Sequence, residues 1–206
     1  MSYKIYLRHP FTMLIAGPTG SGKTEFVRKL IIKRETICDP APERIIYYYS
    51  EYQEIFDSML NVEFVKGLPD EIKLDKRPTW IIFDDLMYEA SNSKLIAELF
   101  TKGSHHRNLS IILICQNFFM RGAESRNISL NSQYIVLFKN PRDQSIATSL
   151  ARQMFPTKIV KFQKVYEHAT SQAFSYLFID LKPETPNEVR LLTNVFSIPI
   201  FAYQLV

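Results

Sequence analysis

The stretch GPTGSGKT at residues 17–24 fits the pattern G-x-x-x-x-G-K-[ST]. An apolar run, residues 12–16, precedes it and reads as a buried strand. Residues 23–33 follow, with Phe26, Val27, Leu30 and Ile31 recurring on one helical face. A strand that enters a glycine-rich turn and leaves as a helix is the geometry a phosphate cradle requires. Gly17, Gly20 and Gly22 admit backbone conformations closed to bulkier residues, so consecutive N–H groups can turn inward. The helix N-terminus adds its partial positive charge. Lys23 is expected to reach the β- and γ-phosphates of ATP, and Thr24 to offer its hydroxyl to Mg²⁺. The expected nucleotide contacts are Gly17, Pro18, Thr19, Gly20, Ser21, Gly22, Lys23, Thr24 and, one residue into the helix, Glu25.

Further along, WIIFDD at residues 80–85 is an apolar strand ending in two carboxylates. Beside a phosphate loop, Asp84 at the strand tip would hold Mg²⁺, through water. Asp85 would polarise the attacking water. Many ATPases of this type carry Asp-Glu here, and the shorter Asp85 leaves the role of base less settled. Residues 110–115 form another apolar run, ending in Gln116 and Asn117. A polar group at that strand tip would lie beside the phosphate-loop strand and face the γ-phosphate, so Gln116 is the candidate to orient water.

Short apolar runs alternate with amphipathic stretches along the chain, without repeats or low-complexity segments. Strands are expected at 44–49, 62–65, 79–83, 110–115 and 133–138, and helices at 51–60, 94–101, 142–154 and 157–169. Residues 175–180, 188–193 and 200–204 suggest short strands, an antiparallel addition punctuated by Pro183, Pro186 and Pro199. The tyrosines at 47–49 are read as core β-residues. With 206 residues, 46% of them hydrophobic, the chain suffices for one compact α/β domain. The expected fold is a P-loop NTPase three-layer sandwich with a mostly parallel central sheet. Twenty-five Lys and Arg against 21 Asp and Glu give a charge of +4, which permits a nucleic-acid partner without requiring one. Cys38 and Cys115, isolated from each other, make neither a disulfide framework nor a zinc site. No apolar run approaches the roughly 20 residues a membrane span needs.

A site of this kind often takes an arginine from a neighbouring subunit to neutralise charge in the transition state. Arg107, just before the 110–115 strand, and Arg126, before the 133–138 strand, are the two candidates. Arg121, Arg142 and Arg152 follow. His105 and His106 read as solvated loop residues. A GTPase would show D-x-x-G where this chain has DDLM, and N-K-x-D where it has KNPRD. The LSGGQ-like string of ABC-type ATPases is absent, and no arginine-rich lid marks a nucleotide kinase. A small-molecule phosphotransferase and a nucleotide switch that does not hydrolyse stay open as alternatives.

Four pieces occur in order: GPTGSGKT, WIIFDD, HHRNLSIILICQNFF, and SRNISLNSQYIVLFKNPRD. With the tail SYLFIDLKPETPNEVRLLTNVF, this chain resembles the FtsK–HerA superfamily, in its viral genome-packaging branch. That branch takes in poxviruses, other large DNA viruses, virophages and Maverick/polinton elements. The resemblance implies an ATPase that assembles as a homo-oligomeric ring, a pentamer or hexamer, and drives double-stranded DNA into a capsid. A capsid or portal-vertex protein is the further partner implied, with no membrane involved. The place of action would be intracellular, in the host nucleus or a cytoplasmic viral factory, with association to the virion. By matching position Gln116 becomes the sensor and Arg107 the likelier finger, without settling Arg107 against Arg126. Lys158, Lys161 and Lys164 recur at helical spacing and are read as a solvated face rather than a DNA-gripping one.

Overall fold

A computed structural model describes residues 5–72, 75–103, 108–119 and 122–205. Eleven strands are found among them. A nine-stranded sheet runs in the order β11-β10-β9-β8-β2-β7-β6-β4-β5, and β1 (Leu7–Arg8) pairs separately with β3 (Cys38–Asp39). The central strands are β2 (Thr12–Ala16), β7 (Leu109–Cys115), β6 (Thr79–Asp84) and β8 (Tyr134–Phe138). With β4 (Arg44–Tyr49) and β5 (Glu63–Lys66) they are all mutually parallel. The antiparallel addition is β9 (Tyr176–Asp180), β10 (Leu191–Thr193) and β11 (Phe201–Tyr203).

Every residue of β2, β6, β7 and β8 is buried. Such strands carry continuous apolar runs because both sheet faces are covered. Their alternating side chains divide into two cores. Met13, Ile15, Tyr47, Trp80, Ile82 and Ile112 pack with α1 (Lys23–Ile32) through Phe26, Val27, Leu30 and Ile31. Leu14, Ile81, Phe83, Ile111 and Leu113 pack on the other face. There they meet α3 (Met87–Asn92), α4 (Lys94–Glu98), α5 (Ser125–Leu130), α6 (Ser145–Met154) and α7 (Ile159–Ala169). The chain thus has the expected α/β fold with a large, mostly parallel sheet between helical layers.

Several expected boundaries are corrected. The helix placed at 51–60 is a 3₁₀ turn, Glu54–Ser58, tied down by Phe56 in a cluster with Tyr47, Tyr49, Tyr52 and Phe64. The helix placed at 142–154 begins at Ser145. Asn140 Oδ1 accepts the N–H groups of Arg142 and Asp143, and Asp143 Oδ1 accepts that of Ser145, so local side chains hold the entry out of helix. The helix placed at 94–101 becomes a π turn, Leu99–Gly103, after Glu98. Four short elements were not anticipated: α2 (Arg34–Ile37), α3, α5 and the β1–β3 pair. Each spans six residues or fewer, too short to display a hydrophobic period.

Helix α5 is fixed against α3 by backbone. Glu124 N–H donates to Ser91 O (2.9 Å), and a Cβ on Gly122 would lie 2.5 Å from that carbonyl oxygen and 2.6 Å from Ser91 Cβ. Ser91 is fully buried and has no room to retreat. Gly122→Ala should therefore destabilise the fold by about 1–3 kcal/mol, the usual range for overpacking. Urea denaturation reads this directly.

Candidate functional site

The register of three parallel strands sets the site. Ala16 of β2 lies opposite Cys115 of β7, and Asp84 of β6 lies opposite Ile114. The phosphate-loop stretch, Gln116 and the acidic pair therefore leave the sheet at one level, with β7 between the other two strands. Ligands bind beyond the carboxyl ends of such strands.

The loop itself is tightly drawn. Gly17 N–H donates to Cys115 O (3.2 Å), and Ser21 N–H to Pro18 O (3.2 Å). A Cβ on Gly17 would lie 2.6 Å from Phe138 Cβ and 2.8 Å from Ser21 Oγ, so the close approach of β8 demands glycine. Gly22 closes the loop at φ 103°, in the left-handed region, and caps α1 without a side-chain hydrogen bond. The first N–H groups of α1 therefore remain for an anion. Ser21 Oγ is buried with no partner among the described residues, an arrangement that a phosphate oxygen would relieve.

Lys23 Nζ folds back to donate to Gly17 O (2.7 Å) and Pro18 O (2.9 Å). Burial pulls its pKa down, against the fields of Asp84, Cys115 and Asp85. Asp84 is only 4% exposed. Its Oδ2 accepts from Tyr47 Oη (2.7 Å), and the Thr24 hydroxyl lies near enough to favour the charged carboxylate. Burial nevertheless pushes the Asp84 carboxyl above its usual range, with Asp85 adding to the shift, while Tyr47, Lys23 and Thr24 oppose it. Asp85 sits at φ 56°, which turns it out of the strand. It is exposed, and its Oδ1 accepts from Gln116 Nε2 (3.1 Å). Adjacent carboxylates thus occupy opposite environments, one buried and one in contact with water.

These residues fit a nucleoside triphosphate with a divalent cation. Magnesium takes one or two carboxylates and completes its shell with water and phosphate oxygens. Asp84 with the Thr24 hydroxyl would provide that set; among the described residues no group of three or more His, Cys, Asp or Glu is placed to hold a metal ion.

The structure brings together Lys23, Thr24, Asp84, Asp85 and Gln116. Glu25 is turned to its own helix, paired with Arg28 (2.7 Å) and Lys29 (3.7 Å). Arg126 is exposed on α5, on an open groove with Phe118, Phe119 and Leu130. No hydrogen bond or ion pair among the described residues joins it to the acidic pair. Arg107, Arg121, His105 and His106 lie outside the described residues. Arg142 and Arg152 are exposed, as are Lys158 at the N-cap of α7 and Lys161 and Lys164 on it. Cys38 and Cys115 are free and buried, with burial raising each thiol to about 12. Sequence reasoning missed Tyr47 as a partner of Asp84. The signal for it is weak, because a tyrosine inside an aromatic strand reads first as packing.

Several solved structures share this fold. The DNA-packaging ATPase B204 from Sulfolobus turreted icosahedral virus is 13% identical over 85% of this chain and 94% of that one, with a TM-score of 0.56. The genome packaging NTPase B204 from Sulfolobus turreted icosahedral virus 2 matches in complex with AMP (12% identity, 95% and 98% coverage, TM-score 0.53). It also matches in complex with ATP-gammaS (15%, 85% and 94%, TM-score 0.51). At such identities the likeness is one of fold. No protein-family model and no curated protein matches the sequence.

Because the fold raises the Asp84 pKa, its ionised form is a destabilising element of the ligand-free protein. That penalty is fully present above the folded pKa and disappears as the pH falls to the ordinary carboxylate value. Ligand-free Asp84→Asn should therefore be at least as stable as the wild type at neutral pH. Its advantage should shrink as the pH is lowered towards about 4. Thermal melts across that range test it.

Proposed function

We propose that this chain is an ATPase subunit whose turnover drives double-stranded DNA into a capsid. The observation that carries the proposal is the meeting of Lys23, Thr24, Asp84, Asp85 and Gln116 at the tips of three adjacent parallel strands. The likeness of fold to packaging NTPases, one solved with ATP-gammaS, supports the same reading.

In this reading the Lys23 ammonium leaves the Gly17 and Pro18 carbonyls for the β- and γ-phosphate oxygens. The N–H groups of the loop and of α1 cradle the remaining phosphates, and Ser21 Oγ gains a partner. Thr24 and Asp84 would hold Mg²⁺, which would supply positive charge against the negative charge developing on the transferred phosphoryl group. Exposed Asp85 takes up the proton of the attacking water, and Gln116, already bonded to Asp85, orients that water. Arg126 or Arg107 reaches the site of a neighbouring subunit, so each site is completed across an interface. A ring of five or six such subunits would grip duplex through its phosphates, with lysines and arginines rather than base readers. The poxvirus, virophage and Maverick/polinton branch, the capsid or portal-vertex partner and an intracellular site of action rest on the sequence motifs.

Duplex DNA should stimulate ATP turnover several-fold, and Lys23→Ala should abolish turnover with the fold retained. Turnover that requires a nucleoside or nucleotide acceptor would instead mark a small-molecule phosphotransferase. Mixing inactive Lys23→Ala subunits with Arg126→Ala or Arg107→Ala subunits should restore part of the activity for the arginine that acts in trans. No recovery with either would mean that neither arginine completes a neighbour's site.

A further inference from the structure

The phosphate loop has two sides in the sheet order. On the β7–β6 side stand Gln116, Asp84 and Asp85. On the β8–β9–β10 side a cavity of about 280 Å³ opens at the tips of those strands, reached by Gly22 of the loop. Its size lies just under the roughly 300–1,000 Å³ typical of pockets for whole small ligands. That suits part of a ligand whose remainder lies in the loop. A triphosphate with its reacting end at the acidic pair must extend its other end towards this cavity.

The cavity is walled by interlocking rings. Phe26 has its centroid 4.8 Å from those of Tyr176 and Phe196, and 6.3 Å from that of Phe138. Beside them Phe174 is 68% exposed, at a φ of 63° that bulky residues rarely adopt. Its Cδ1 lies 3.3 Å from where a Gly22 Cβ would sit, so the ring stands directly at the end of the loop. An unshielded aromatic ring held in an unfavourable backbone conformation is unexplained by packing. A flat apolar ligand on its face would account for the exposure.

Three polar side chains at the rim donate to local backbone. Ser175 Oγ donates to Gln172 O (2.7 Å), Thr193 Oγ1 to Tyr176 O (2.7 Å), and Asn194 Nδ2 to Pro199 O (3.1 Å). Glu25 is held by Arg28. The rings equip the cavity to stack a base, and much of its polar rim is tied to local backbone. We propose that Phe174 is the platform for the nucleobase, and that the site takes purine nucleotides with little discrimination between adenine and guanine. The proposal rests on the reading of residues 17–24 as a triphosphate site.

Calorimetric titration of ATP, GTP and inorganic tripolyphosphate, each with Mg²⁺, tests it on four proteins: the wild type, Phe174→Ala, Phe174→Tyr and Lys23→Ala. In the wild type, ATP and GTP should bind within about tenfold of each other, and both more tightly than tripolyphosphate. Phe174→Ala should weaken both nucleotides about tenfold, the scale of one base–aromatic stack, and leave tripolyphosphate unchanged. Phe174→Tyr should bind like the wild type. Unchanged ATP affinity in Phe174→Ala would overturn the platform, and so would an equal loss of tripolyphosphate. A hundredfold preference for ATP over GTP would overturn the weak discrimination. Lys23→Ala should weaken all three ligands. If it does not, the triphosphate site itself is misassigned, an outcome distinct from failure at Phe174.

Discussion

The parallel register of β2, β7 and β6 is the constraint on which the site depends. Ala16 opposite Cys115 and Ile114 opposite Asp84 bring three strand ends to one level. A slip of one residue would exchange the two faces of β6. Ile82 would move from the α1 side to the other core, and Asp84 away from Tyr47. Two separate apolar cores hold that register, because Leu14, Ile81 and Leu113 pack on one face while Ile15, Ile82 and Ile114 pack on the other. The chemistry at the sheet edge is thus positioned by side chains that never touch it.

Within that frame the protein keeps opposite charges in a poorly solvated place. Burial drives Lys23 and Asp84 each towards neutrality, and their mutual attraction only partly offsets the effect. Both charges lack the partners they are suited to. A phosphate chain would answer the ammonium and the Ser21 hydroxyl, and a divalent cation would answer the carboxylate. Binding energy at the proposed site would then include relief of that penalty, which is how a small loop could favour a highly charged ligand over water. Asp85 is exposed to solvent, because its left-handed backbone turns it out of the strand.

Much of this was legible in the sequence. The strand–loop–helix at residues 12–33 and the apolar runs ending in Asp84 and Gln116 announce themselves, because buried parallel strands cannot avoid continuous hydrophobic residues. The antiparallel strands near the end were marked by prolines. What stayed hidden depends on contacts distant in sequence. Tyr47 reaches Asp84 across 37 positions, and Phe174 meets Gly22 across still more. The pairing of Glu25 with Arg28 follows the i,i+3 spacing of a helix, whereas no residue pattern reveals that Arg126 lies in the first turn of a helix rather than in a loop. The hidden outcomes are set by tertiary packing, not by period.

The groove around Arg126 is compatible with the proposed completion of each site by a neighbouring subunit. Phe119 is 44% and Leu130 62% exposed beside that arginine, apolar surface of the kind a neighbouring subunit would cover. If each site borrows an arginine across such a contact, hydrolysis is a property of the assembly. The most direct measurement is the ATP turnover rate per subunit as a function of protein concentration. The account predicts a rate that is negligible on dilution, rises steeply as subunits associate and then levels off. A rate per subunit that stays constant down to concentrations where the chain is monomeric would contradict it.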